Sequence, residues 1–244
     1  MHGVWVIFKR EIRQYFTSPI AYLVAFAILF LAGMVFSSDL RARNGYLPPD
    51  GTVVLSFLAF AMIFFAPLLT MRLFAEESRE GTIELLLTLP IRDGDVVLGK
   101  FLGAWAYYSL ILALTLVYPI VLIANSTPDF GAIIAGYIGV WLYGGSVIGV
   151  GMLFSALTEN QIVAGFLSMA ALFLLWLGNS VGTIFEGISV EAARFVRALS
   201  LPGHYAESFL IGVIRPEDMA FFAGLIAVML YVTTQIVAAR RWRG

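Results

Sequence analysis

Three consecutive pieces decide the fold: VVLSFLAFAMIFFAPLLTM (53–71), RLFAEESREGTIELLLTLPIRDGDVVLGK (72–100) and FLGAWAYYSLILALTLVYPIVLI (101–123). The outer two carry no charge, while the middle one carries ten charged residues. A helix needs about 20 apolar residues to cross the hydrocarbon of a bilayer. The flanking runs therefore read as two membrane spans, and the middle piece as a polar segment held at one surface.

The rest of the chain repeats the theme. Of the 244 residues 60% are hydrophobic and 13% charged, far from a soluble domain. Six uncharged intervals are long enough to span: 20–38, 53–71, 101–123, 133–157, 162–185 and 219–239. A single Arg, Lys or Asp at a span centre costs roughly 2.5–3.5 kcal/mol on insertion scales, so such clean runs are strong signals. Backbone groups in lipid must bond within their own segment, which favours helices, and the alternation of a membrane barrel is absent. The expected fold is all-α and polytopic, one transmembrane domain over 1–244 with six spans.

Lys and Arg set the orientation. With the N-terminus inside, ten basic residues fall on the inner side (Lys9, Arg10, Arg13, Arg72, Arg79, Arg92, Lys100, Arg240, Arg241, Arg243) and five outside. This bias predicts that both termini are cytoplasmic. The start of the chain lacks the layout of a cleaved signal peptide. Residues 4–16 predict an amphipathic helix instead. Trp5, Phe8, Ile12, Tyr15 and Phe16 share one face, and Lys9, Arg10, Arg13 and Gln14 the other. Such a helix lies in the interface against lipid headgroups. Pro19 then suits the first turn of the next helix. On the outer side, residues 190–201 predict a second surface helix.

Within 72–100, Arg72, Glu76, Glu80 and Glu84 recur every fourth residue, and Arg79 is spaced to pair with Glu76. Gly81 predicts a break, a short helix follows over 82–87, and Leu89-Pro90 ends it. Asp95 is expected to cap the next helix. A loop that serves only to keep helix ends in water has no use for Ile83, Leu85, Leu86, Leu87 and Leu89. A partner groove does.

Several chemistries lack their residues. There is no cysteine, and the only histidines are His2 and His204. Four glutamates without a histidine, beside arginines, make a weak metal or acid–base site, so no metal and no catalytic residue is assigned. No phosphate-binding G-x-x-x-x-G-K-[ST] occurs, so the chain binds no nucleotide itself. No basic patch points to nucleic acid. The spans carry no ionisable residue at depth, which disfavours a proton- or ion-coupled carrier. Asn179, Ser180 and Thr183 are the polar residues that could line a path; helix–helix hydrogen bonding explains them equally well. Gly99/Gly103, Gly145/Gly149 and Gly178/Gly182 are spaced for close helix contact.

Three motifs resemble the permease subunits of ABC transporters of the ABC-2 type, most of all the gliding-motility-associated group. They are Lys9-Arg10-Glu11 through Tyr15-Phe16-Thr17-Ser18-Pro19; Glu76-Glu77, Arg79 and Gly81-Thr82-Ile83-Glu84-Leu85-Leu86 with Pro90; and His204-Tyr205 with Gly212 and Asp218. The resemblance implies an exporter-type membrane subunit in a bacterial inner membrane. Residues 76–90 would be the coupling helix seated in a separate ATPase, with Thr158, Glu159 and Asn160 as a lesser contact. Trp5, Phe8, Lys9, Arg10, Glu11 and Arg13 would belong to an elbow helix. Two ATPases, holding ATP and Mg, and a second permease, identical or homologous, would complete the transporter. An extracytoplasmic auxiliary subunit is left open as a further partner. The alternative reading is a stand-alone secondary carrier or channel.

Overall fold

A computed structural model describes residues 2–43, 50–82, 92–187 and 189–241. Among them there is no strand. Helix α1 (His2–Thr17) is followed directly by α2 (Pro19–Arg43). Then come α3 (Val53–Thr70), the single-turn α4 (Ala75–Arg79), α5 (Asp93–Leu114) and α6 (Val117–Asn125). Helix α7 (Phe130–Leu157) leads through a short turn to α8 (Gln161–Trp176) and α9 (Gly178–Glu186). Two short helices, α10 (Val190–Ala198) and α11 (Leu201–Ala206), and a 3-10 turn (Phe209–Ile211) precede α12 (Pro216–Arg241).

Five helical stretches are long and apolar enough to cross a membrane: Pro19–Arg43, Val53–Arg79, Asp93–Asn125, Phe130–Leu157 and Pro216–Arg240. A sixth is reached if α8 and α9, bent by 51° at Leu177, count as one span. The straight span expected over 162–185 is therefore a bent pair. The run 101–123 is also interrupted, at Thr115 and Leu116. There the Thr115 hydroxyl donates to the Leu112 carbonyl at 2.7 Å and meets the Tyr137 hydroxyl at 3.2 Å. A side chain bonding back to its own helix offers the backbone an alternative partner, and helices bend at such points.

Helix α7 is the central rod. It packs against α3, α5, α8, α11, α12 and the 3-10 turn. Its glycines explain how so many neighbours fit. A Cβ on Gly144 would lie 2.0 Å from the Tyr108 ring, and one on Gly139 2.4 Å from that of Phe209. Small residues let backbones approach and van der Waals contact accumulate, the main attraction between helices in lipid. The three glycine pairs singled out by spacing all sit in close contacts within the chain. Gly99 and Gly103 take α1, Gly145 and Gly149 take α12, and Gly178 and Gly182 take the segment from Arg197 to Ser200. Helices α2 and α12, by contrast, leave most of their surface outside the fold.

Both ends of the described chain meet at α4. Arg10 of α1 bonds Glu77, and Arg240 of α12 bonds the Ser78 hydroxyl. Helices α10 and α11 and the 3-10 turn pack at the opposite end, where α12 begins.

Candidate functional site

The described start of the stretch between the two diagnostic apolar runs, through residue 82, continues α3 as a broken helix. Helix α3 ends at Thr70, residues 71–74 form a turn, and α4 adds one helical turn before Gly81 takes φ +69°. That is left-handed backbone, where glycine carries no steric penalty, so the break expected at Gly81 is present. A second break, at 71–74, was not foreseen. It disrupts the four-residue stripe of Arg72, Glu76 and Glu80. Glu76 and Arg79 keep their i,i+3 spacing within α4, yet Arg79 pairs with no carboxylate among the described residues, contrary to the expected Glu76 pairing. It is Glu77 that turns inward. Asp95 also departs from expectation: Arg92 is the N-cap of α5, and Asp93 and Asp95 lie inside its first turn, where negative charge suits the helix dipole.

Four charges from three distant segments converge beside α4. Lys100 Nζ lies 2.8 Å from Glu11 Oε1 and 3.0 Å from Glu77 Oε1. Arg10 pairs with Glu77 and reaches Glu11 at 3.2 Å. The Lys100 ammonium also sits 5.2 Å from the Phe74 ring centroid. The lysine is 1% exposed and Glu11 2%. Two acids and two bases give a neutral set, which is how charges survive out of water. Burial works against the charged form of Arg10, but Glu77 and Glu11 outweigh it and hold its pKa above the usual arginine value.

This network overturns two expectations. Lys100, placed by the sequence at the inner-side end of the charged segment, is a fully buried residue of α5. The polar face of α1 is not wholly outward either. Ile7, Glu11 and Tyr15, four residues apart, face the protein, while Trp5 and Phe16 are half-exposed. The reason lies on α5, where a Cβ at Gly99 would strike Ile7 and one at Gly103 would strike Glu11. Helix α1 sinks into this glycine notch and delivers Glu11 to Lys100.

The neighbourhood is tied down further. The Tyr15 hydroxyl donates to the Leu69 carbonyl at 2.8 Å. Burial pushes its phenol well above the ordinary range, so it stays a neutral donor. Arg72 donates to the Ser18 hydroxyl at 2.5 Å and lies over the Tyr15 ring. A cavity of about 480 Å³ opens alongside, lined by Gln14, Thr17, Arg72, Glu76, Glu80 and Thr82 besides the network itself. Glu77 Oε2 and Arg10 Nε are buried there without a hydrogen-bond partner among the described residues.

Of the other predicted site residues, Glu80, Gly81 and Thr82 are exposed at the end of α4, beside Arg79. Ile83, Glu84, Leu85, Leu86 and Pro90 lie outside the described residues. Thr158, Glu159 and Asn160 form the turn between α7 and α8, with Asn160 capping α8 through Ile162 N at 2.9 Å. Asn179, Ser180 and Thr183 fall on α9, beyond the bend. Asn179 and Thr183 line an opposite-end cavity of about 520 Å³, together with Arg197, His204, Glu207, Arg215 and Asp218. His204, in the last turn of α11, bonds Asp218 Oδ1 at 2.7 Å and the Ala198 carbonyl at 3.1 Å, and stacks on Phe221. Among the described residues no group of three His, Asp or Glu could hold a metal ion.

The profile of a family described as "ABC-2 family transporter protein" matches residues 42–211. The chain belongs to the ABC-2 transporter family. Among curated relatives, "Probable ABC transporter permease protein NosY" of Pseudomonas aeruginosa is 33% identical over 118 residues, 47% of this chain and 42% of that protein. "Probable multidrug ABC transporter permease YbhS" of Escherichia coli K12 is 28% identical over 205 residues, 82% of this chain and 52% of that protein. Escherichia coli YbhR, similarly named, is 27% identical over 164 residues. This ABC-2 chain thus spans about half the length of the relatives it matches. Its apolar helices and its family fit a multi-pass membrane protein.

Proposed function

We propose that this ABC-2 chain is an exporter-type permease whose movement is driven by ATP hydrolysed on a separate ATPase. Helix α4 and the residues after it, through Pro90, act as the lever that seats in that ATPase, and Thr158–Asn160 makes a lesser contact. The observation that carries this reading is the buried network of Arg10, Glu11, Glu77 and Lys100. It binds the lever to α1 and to α5, so a push on α4 is passed to both instead of being absorbed by a loose loop. The exposed carboxylate and arginine of Glu80 and Arg79, just beyond, are left to meet a partner.

The working assembly is proposed as two permeases, identical or homologous, with two ATPases carrying ATP and Mg, in a bacterial inner membrane with both chain ends cytoplasmic. Helix α1 serves as the elbow in the interface, with Trp5, Phe8, Lys9 and Arg13 toward lipid headgroups. The position of Asn179 and Thr183 at the far end is compatible with an exit route. An extracytoplasmic auxiliary subunit would meet the same end. The narrower assignment to the gliding-motility-associated group rests on the three quoted motifs alone.

Purification in mild detergent tests the reading. A Walker-motif ATPase should accompany the wild type, and its ATP hydrolysis should respond to Glu77→Gln and Lys100→Met. Transport in vesicles lacking any ATPase would contradict it and favour a stand-alone carrier.

A further inference from the structure

We infer that Ser155 is the residue that couples the α4 lever to α7, so that the two move as one body during the transport cycle. The inference rests on the lever reading above and adds an output arm to it. Ser155 lies near the end of α7 and is fully buried. A serine inside a helix ordinarily bonds its hydroxyl back to a carbonyl one turn earlier, as Ser146 does with Leu142. Ser155 instead spends its hydroxyl on the break between α3 and α4. It donates to the Met71 carbonyl at 2.9 Å and accepts from Phe74 N at 3.0 Å and Ala75 N at 3.2 Å.

A hydroxyl has one donor and two acceptor sites, so its whole capacity is used on three backbone groups of another segment. These are groups that a helix break leaves without partners. The residue at the N-cap of α4 is Phe74, whose side chain cannot cap. Ser155 supplies the cap from a neighbouring helix. One turn earlier on the same face of α7, Gly151 lets Thr70 in so closely that a Cβ there would lie 2.2 Å from Oγ1. Helix α7 is thus clamped on both sides of the break.

The far half of α7 gives the clamp its consequence. Gly136 and Gly139 receive Leu55 and Phe209, and the Tyr205 hydroxyl donates to the Gly136 carbonyl at 3.5 Å. A motion handed to α7 at Ser155 therefore arrives at the 3-10 turn and α11, the opposite end of the bundle. Ser155 is a positioning residue: its hydroxyl is spent on the backbone of the 71–75 break, and it acts through α4 and α7.

The chain has no cysteine, so reporters can be placed without background. Spin labels at Glu80→Cys and Leu157→Cys, both exposed, report the lever and the end of α7. Distances are measured by pulsed electron resonance on the complex purified with its ATPase, without nucleotide and after trapping with ATP and vanadate. In the wild-type background the distance should stay constant on trapping, and Ser155→Ala should make it shift or broaden. Ser155→Thr, which keeps the hydroxyl, should restore constancy. A wild-type change approaching one helical turn, about 5 Å, overturns the inference whether or not Ser155→Ala can be purified. An unchanged distance in trapped Ser155→Ala overturns it too. Both outcomes leave the lever reading standing. Failure of any ATPase to co-purify with the wild type overturns that reading, and this inference with it.

Discussion

The two ends of the molecule use charge in opposite ways. At the α4 end, Lys100 and Glu11 are buried, and the network joins residues 67 and 89 positions apart. At the other end, Arg197 pairs with Glu186 at 2.6 Å with both side chains partly exposed, and a partly exposed His204 pairs with a buried Asp218 only 14 positions away. Buried, long-range pairing welds segments that the chain does not connect. Pairing over 11 and 14 positions ties together turns that the chain already keeps close. In the proposed lever, the first arrangement passes displacement on, and the second holds the opposite end of the bundle together.

Removing the weld should have the largest effect. Lys100→Met leaves Glu11 and Glu77 with only the partly exposed Arg10 as a shared cation among the described residues, and breaking a buried pair costs about 3–5 kcal/mol. Thermal unfolding in detergent should show a large loss, with Glu77→Gln milder because Glu11 still holds the lysine. Stability within error of wild type for Lys100→Met would show that the network is solvated in the membrane. Next comes the notch that seats α1. Gly103→Leu should cost about 1–3 kcal/mol, the usual range for overpacking. It should also release the N-terminal helix, read as faster proteolysis there. Unchanged proteolysis would place α1 elsewhere.

The opposite end should respond less than the weld and about as much as the notch. His204→Ala removes two hydrogen bonds, one to a charged group, so a loss of about 1.5–3 kcal/mol is expected. Hydrogen exchange should rise in α10 and α11 and not near α4. The smallest effect belongs to Arg197→Ala at the exposed Glu186 pair, within about 1 kcal/mol, shrinking further in high salt. An outer effect as large as that of Lys100→Met would erase the contrast between the ends.

How far the sequence foretold this differs by feature. Spans were legible because uncharged runs of membrane length have few other uses, and Gly81 and the glycine pairs because they lack a Cβ. The break at Thr115 has Pro119 four residues on, and the 51° bend at Leu177 has Gly178-Asn179-Ser180 beside it, but both lie inside uncharged runs long enough to read as one span each, where no charge marks a boundary. Glu11 and Lys100 were misplaced because their partnership spans 89 positions, and no local pattern encodes it. Ser155 gave no signal at all: an ordinary serine near a helix end acquires its role only once the break at 71–74 packs against it.

The most direct test asks which end meets the ATPase. A photo-crosslinker on a single cysteine at Glu80, exposed beyond α4, is compared with one at Ile184, exposed on α9 near the opposite end. The account predicts that a Walker-motif ATPase is captured from Glu80→Cys and not from Ile184→Cys. Capture from Ile184→Cys, with none from Glu80→Cys, would contradict it.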